Sequence, residues 1–166
     1  MMNNNEIAFT YRMATAKDVE LLARTRVEFF ADMNKDMTDE EKAAIYAQNR
    51  QYFEETFADG TFLAWLAFDG DTLVATSGVS FFRTPPKRRN PTGRTAYISN
   101  MFTKPEYRGR GVATRLFALS VELACEHGCG KVTLHASDMG RPIYEKFGFN
   151  ETHSAMDYHI GQEEER

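Results

Sequence analysis

The sequence predicts a single mixed α/β domain, a central mixed sheet flanked by helices, and three patterns carry that prediction. Residues 61–68 form an aromatic and apolar run, Asp69-Gly70 is a two-residue turn signal, and residues 72–82 supply a returning strand, which together make a hairpin. Residues 96–103 are strand-like, a glycine-bearing turn follows, and a helical stripe at 112–127 leads to a β-branched run at 131–136. The second unit is a strand-helix-strand crossover, so its two strands run parallel while the hairpin is antiparallel, and the sheet must be mixed. The third pattern is a pair of helix-spaced segments ahead of the hairpin, which are expected to flank that sheet.

Each element has a local reason. Residues 9–13 can form a first strand, and Thr15 or Asp18 can cap a helix on which Val19, Leu22, Ala23, Phe30 and Met33 recur at helical spacing. Thr38-Asp39-Glu40-Glu41 is a capping box that opens a second helix running to Phe57, and Asp59-Gly60 stops it. Residues 83–95 hold Pro85, Pro86, Pro91, Gly93 and the cluster Lys87-Arg88-Arg89 with Arg94, the composition of a solvated loop with no regular structure. Val112, Leu116, Leu119 and Leu123 mark the buried stripe of the helix at 112–127, which Gly128 and Gly130 end. Ser137 or Asp138 can cap a short helix through Tyr144 and Phe147, with Gly148 as its C-terminal cap, and residues 154–160 can close the sheet as a last strand. The polar ends, residues 1–6 and 162–166, are expected to fray.

Composition excludes several classes of function. The chain of 166 residues is long enough to bury one proper core, and 42% hydrophobic with 27% charged residues is an ordinary globular balance. Twenty basic against twenty-four acidic side chains leave a net charge of −4, which argues against nucleic-acid or anionic-membrane partners. The start MMNNNEIAF lacks the basic and apolar regions of a signal peptide, and the apolar run at 62–68 is too short to span a bilayer, so a cytoplasmic location is the expectation. Cys125 and Cys129 fit neither a disulfide framework nor a four-ligand zinc site, even with His127 between them, and no metal is expected.

The chemistry concentrates in residues 96–113. Gly109 and Gly111 lack a Cβ, so backbone N–H groups there can approach an anion closely, and the first turn of the following helix adds unpaired donors and the positive end of its dipole. A phosphate-bearing ligand is the natural occupant. The turn lacks the Gly-Lys-Ser/Thr ending of a P-loop, and Thr114 stands where a dinucleotide fingerprint needs its third small residue, which counts against a nucleotide site.

Arg108-Gly109-Arg110-Gly111-Val112-Ala113 resembles the coenzyme A pyrophosphate loop of the GNAT superfamily of N-acetyltransferases, [Q/R]-x-x-G-x-[G/A], with Arg108, Gly111 and Ala113 at the defining positions. Further on, Ile143-Tyr144-Glu145-Lys146-Phe147-Gly148-Phe149 resembles the superfamily's [L/I]-Y-x-K-x-G-F segment, in the right order. The element order matches as well, so the resemblance spans nearly the whole chain. It implies the GNAT-type acyl-CoA N-acyltransferase fold, in which the strands at 96–103 and 131–136 splay apart around the pantetheine arm. It also implies acetyl-CoA as co-substrate, with Arg108, Gly109, Arg110, Gly111, Val112, Ala113 and Thr114 on the pyrophosphate and the main chain of Met101, Phe102 and Thr103 along the pantetheine. A homodimer is the family-level expectation.

Acetyl transfer to an amine needs a neutral nucleophile and a proton for the departing thiolate. Tyr144 matches the family's proton donor, and an ordinary tyrosine pKa of about 10 lies close enough to a thiol's, about 8.5, for that transfer. No single base is marked by spacing: Glu28, His135 and Asp138 are candidates, each with a salt-bridge, core or cap role as the alternative, and a water chain would also serve. Asn100 cannot be a base, but its amide can position a substrate or a water. Ser137 stands where many relatives carry an asparagine, so that cofactor contact does not transfer. The acceptor, a small-molecule or protein amine, is not encoded in any motif. Phe29, Phe30, Tyr46 and Phe53 can line its pocket or simply be core. A non-catalytic acetyl-CoA sensor and a transferase for another acyl group are the alternatives to amine acetylation.

Overall fold

A computed structural model describes residues 8–152 and 155–160, so the chain ends expected to fray lie outside the described residues. The chain divides into two compact units, Met1–His135 and Ala136–Arg166. The first unit contains strands β1 (Thr10–Met13), β2 (Phe62–Asp69), β3 (Thr72–Arg83), β4 (Arg94–Thr103) and β5 (Lys131–Leu134), with helices α1 (Val19–Met33), α2 (Asp39–Asp59) and α3 (Val112–Glu126). The strands form one sheet in the order β1-β2-β3-β4-β5, antiparallel up to β4 and parallel between β4 and β5, with α3 as the crossover. The mixed sheet is therefore as predicted.

Local chemistry sets the element ends. Asp69 pairs with Thr72 across a two-residue turn in which Gly70 has φ 56°, the left-handed conformation such a turn demands. Thr38 caps α2 as a full capping box, its hydroxyl accepting from the Glu41 amide at 3.2 Å while Glu41 accepts from the Thr38 amide at 2.7 Å. Thr15, rather than Asp18, does the capping before α1, and it caps a 3-10 turn at Ala16–Asp18. Asp18 closes that capping box and takes both arms of the Arg12 guanidinium at 2.8 Å.

The sheet is covered on both faces. On one side Leu22 and Ala23 of α1 and Phe53 of α2 pack with Phe62, Ala64 and Leu66 of β2, all buried. On the other, Val112 and Leu116 of α3 pack with Ala67, Val74 and Ala75. Double coverage explains why β3 is buried without interruption from Leu73 to Val79 instead of alternating. It also buries two hydroxyls, Ser77 of β3 and Ser120 of α3, which satisfy each other at 2.6 Å.

Two predicted features differ. The loop at 83–95 is shorter and more ordered than its composition suggests: β3 runs to Arg83, β4 starts at Arg94, and a Lys87–Asn90 bridge closes a turn between them. Asn90 is buried and donates its amide to the Arg94 carbonyl at 3.0 Å and the Thr95 hydroxyl at 3.2 Å, so one polar side chain replaces the ladder that the prolines cannot make. The last predicted strand is absent: residues 155–160 carry no strand, and Met156, Tyr158 and Ile160 are exposed, while residue 154 lies outside the described residues. Alternating apolar residues favour a strand, but only a paired edge makes one.

The second unit holds α4 (Arg141–Lys146). Its N-cap is Gly140, with no side-chain cap, so neither Ser137 nor Asp138 caps the helix as expected; the Ser137 hydroxyl closes the turn before it, accepting from the Gly140 amide at 3.2 Å. Gly148, at φ 88°, ends α4 with the Phe149 amide returning to the Tyr144 carbonyl at 3.1 Å, the predicted glycine cap.

Candidate active site

The site in the first unit begins where β4 changes partners. β5 pairs with Thr95 through Ile98 and its ladder stops at Leu134, so no strand among the described residues pairs with the outer edge of 99–103. On the other edge β4 stays bonded to β3, but through a bulge: Gly78 faces Ser99, Thr76 faces Phe102, and Asn100 and Met101 share the space opposite Ser77. Asn100 has φ 54°, the one positive φ outside glycine among the described residues, and its carbonyl accepts from the Thr76 hydroxyl at 2.9 Å. A Cβ on Gly78 would come within 2.5 Å of the Phe62 ring and 3.3 Å of the Asn100 Cβ, so the bulge depends on that glycine.

The chain then turns through a 3-10 segment, Pro105–Tyr107, into the arginine and glycine loop. Gly109 and Gly111 take φ 73° and 78°, and a Cβ built on either would meet nothing within 4 Å. Open space in front of both glycines, at a helix whose N-cap is Gly111 with no side-chain cap, leaves the first-turn amides of α3 directed at an open cradle. Val112 is buried and pins this helix end to the sheet, while Ala113 is half-buried and Thr114 exposed. Arg110 stacks over the Tyr107 ring at 5.4 Å. Arg108 points the other way, donating to the Thr103 carbonyl at 3.0 Å and to the Asp32 carboxylate on α1. That ion pair, with Lys35 adding to it, holds Asp32 below the ordinary carboxylate range.

Met101, Phe102 and Thr103 thus lie on the strand edge that β5 leaves open, next to the loop. Phe102 is buried and meets Phe29 of α1 edge-on at 5.9 Å. Of the base candidates, Glu28 sits 3.6 Å from Lys104, and His135 Nδ1 lies 2.8 Å from the Tyr97 hydroxyl. Of the aromatic candidates, Phe53 is core, its ring tilted against Phe62 at 5.1 Å, and Tyr46 packs on the same cluster; Phe29 and Phe30 stay half-buried. Asp32 and Tyr97 were not singled out by the sequence, because neither lies in a motif and their partners are distant in the chain. Cys125 and Cys129 are free thiols.

In the second unit Tyr144 is buried, and burial alone pushes its phenol above the ordinary tyrosine value. The ring rests against Gly140, where a Cβ would fall 2.7 Å from the phenol oxygen. Asp138 is exposed.

An opened strand edge thus stands beside an uncapped helix N-terminus, and comparison with known proteins gives the family. The family model described as acetyltransferase (GNAT) domain matches residues 33–159, and the chain belongs to that family. Among solved structures it is similar to a predicted acetyltransferase from Clostridium acetobutylicum with acetyl-CoA, 33% identical, covering 92% of this chain and 97% of that one, with a TM-score of 0.83. A GCN5-related N-acetyltransferase from Ralstonia eutropha JMP134 is 26% identical over 93% of this chain and 100% of its own, with a TM-score of 0.82. Similarity to a thialysine N-epsilon-acetyltransferase of Sus scrofa is 30% identity over 71 residues, 41% of this chain and 42% of that protein, so the match spans under half of that relative. A glucosamine 6-phosphate N-acetyltransferase of Trypanosoma brucei brucei is 34% identical over 39% of this chain and 44% of its own. Among the described residues no helix is long and apolar enough to cross a membrane.

Proposed function

We propose that the protein is an N-acetyltransferase that moves acetyl from acetyl-CoA to a primary amine of a small molecule or protein by direct attack in a ternary complex. The observation that carries this reading is the open cradle at Gly109 and Gly111 beside the unpaired edge of β4. The fit is chemical: a diphosphate needs several N–H donors and no side chain in the way, and both glycines face open space at an N-terminus that no side chain caps.

When bound, acetyl-CoA supplies an activated acyl thioester. The amides from Gly109 to Thr114 hold its pyrophosphate, and the free edge of Met101 to Thr103 aligns its arm as an added strand would. Asn100, held on the bulge in a left-handed conformation, orients the amine or a water beside it. Tyr144 gives its proton to the departing sulfur, a role supported by its motif and by the burial that keeps the phenol protonated. The proton lost by the amine leaves through Glu28, His135 or ordered water. No metal takes part, the expected location is the cytoplasm, and a homodimer is the expected assembly.

A thiol-release screen of diverse amines and N-terminal peptides with acetyl-CoA tests this. Turnover on any amine, reduced in Tyr144→Phe, is the expected result. Tight coenzyme A binding with no thiol release across the panel would replace the enzyme by an acetyl-CoA sensor, and turnover only with a longer acyl thioester would change the donor.

A further inference from the structure

The acidic residues of α1 are each spoken for. Glu20 pairs with Arg24 at 2.6 Å, Glu28 with Lys104 at 3.6 Å, and Asp32 with Arg108 and Lys35. Arg26, in the middle of the same helix, is different: among the described residues it has neither an ion-pair partner nor a hydrogen-bond acceptor. It is nevertheless half-buried, with its guanidinium carbon 5.1 Å from the centroid of the Phe29 ring and 4.5 Å from that of Phe30. Tyr52 of α2 and Tyr97 of β4 are the titratable groups that face it, and burial draws its pKa below the ordinary arginine value. A guanidinium remains a cation even so, and a half-buried cation without a counter-charge is a costly arrangement to keep.

The surface around it is polar and only partly covered. Ser80 and Tyr97 lie directly across from each other on β3 and β4, so their side chains share one face of the sheet. The Tyr52 hydroxyl reaches Ser80 Oγ at 3.1 Å, and the Tyr97 hydroxyl reaches His135 Nδ1 at 2.8 Å. Tyr52 is 40% exposed and Phe82, further along β3, 45%, so α1 and α2 leave this end of the face open. Phe29 bridges from Arg26 to Phe102, which ties the arginine to the same stretch of β4 that borders the cofactor cradle.

We propose that Arg26 is the acceptor-recognition residue: the amine substrate carries an anionic oxygen group, carboxylate or phosphate, that docks on the Arg26 guanidinium between α1 and the face of Tyr97 and Ser80. The aromatic rings fix the plane of the guanidinium, and its edge N–H donors stay available for two parallel hydrogen bonds, the geometry that carboxylates and phosphates accept. This selects amino-acid-like or phosphorylated amines over simple polyamines, whose second cation Arg26 repels. It deepens the amine-acetylation reading and rests on it for the word acceptor, whereas the anion site itself does not.

The two are tested separately on the full-length protein. The guanidinium Nε–H resonance of Arg26, assigned by its loss in Arg26→Lys, is followed while inorganic phosphate and, in a parallel arm, acetate are added to protein saturated with coenzyme A. A saturable shift with either ion is expected, and the stronger arm identifies the anion; no saturable shift with both overturns the proposal whether or not the protein has any activity. Thiol release is then compared within matched pairs, lysine against lysinamide and glucosamine 6-phosphate against glucosamine. The member of one pair that bears the anionic group is expected to have a kcat/KM about ten-fold or more above the partner that lacks it, a ratio that falls toward one in Arg26→Met, which keeps the apolar stem. A ratio near one in the wild type, or a ratio that survives in Arg26→Met while both rates fall together, overturns it by leaving Arg26 only a packing role. Absence of thiol release from every amine counts against the enzyme reading, and the resonance titration still decides the anion site.

Discussion

Arg108 of the glycine loop is bound to Asp32 of α1, its guanidinium bridging that carboxylate and the Thr103 carbonyl. The loop is therefore attached to the first helix by an ion pair made before any ligand arrives, and a negative charge stands beside the arginine that opens the loop. Removing that charge while keeping the side-chain shape tests which effect dominates. In Asp32→Asn we expect coenzyme A to bind roughly two- to five-fold more tightly at low ionic strength, with the gain shrinking as salt screens it. Calorimetry at two salt concentrations measures this, and weaker binding would mean that Arg108 has to be held by Asp32 in order to serve.

Gly111→Glu places a carboxylate in the cradle and a Cβ on a residue at φ 78°. The side chain has room, since a Cβ at this position would meet nothing within 4 Å, so the conflict is one of charge with a phosphate plus about 1 kcal/mol of backbone strain. Coenzyme A affinity should fall at least about a hundred-fold by calorimetry while the melting temperature drops only modestly. Retained affinity would remove the cofactor assignment from this loop.

For Tyr144→Phe the expected outcome is a kcat lower by about ten- to a hundred-fold with coenzyme A affinity little changed. Burial raises the phenol's pKa, so the proton it donates is present throughout the neutral range and past the ordinary tyrosine value. A fall in wild-type kcat between about pH 8 and 10 that disappears in Tyr144→Phe would contradict that protonation state. An equal rate in the two proteins would take the acid role from Tyr144.

Asp18 contributes to stability through Arg12. The hydrogen-bonded guanidinium, with the Thr15 amide and hydroxyl, holds Asp18 down to about 2, against about 3.9 for a free aspartate. A lowered folded-state pKa stabilises the fold above the unfolded value, and the contribution is lost as pH falls from about 4 toward 2. Because Arg12 is 48% exposed and solvent screens the pair, we assign it about 1–2 kcal/mol. Asp18→Asn should lose that amount at about pH 7 in urea unfolding and show a flatter stability profile between about pH 4 and 2. Parallel profiles for the two proteins would put the stabilisation elsewhere.

Sequence alone determined whatever depends on near neighbours in the chain. The Asp69-Gly70 turn, the Thr38-Glu41 capping box, the buried stripe of α3 and the glycine cap at Gly148 are set by a few adjacent residues, and all four form as predicted. The loop and tyrosine motifs are legible for the same reason, and they led to the GNAT family that the comparison shows. Tertiary structure decided what depends on partners brought from afar. Residues 155–160 have the alternation of a strand and no strand, the loop at 83–95 is ordered by the burial of Asn90, and Phe53 is core because Phe62 meets it. The same holds for charge: only packing shows that Asp32 is engaged by Arg108 and that Arg26, earlier on the same helix, has no carboxylate partner among the described residues. Local propensity acts through a few bonds, whereas burial and ion pairing act through space, so the second could be known only once the chain had folded.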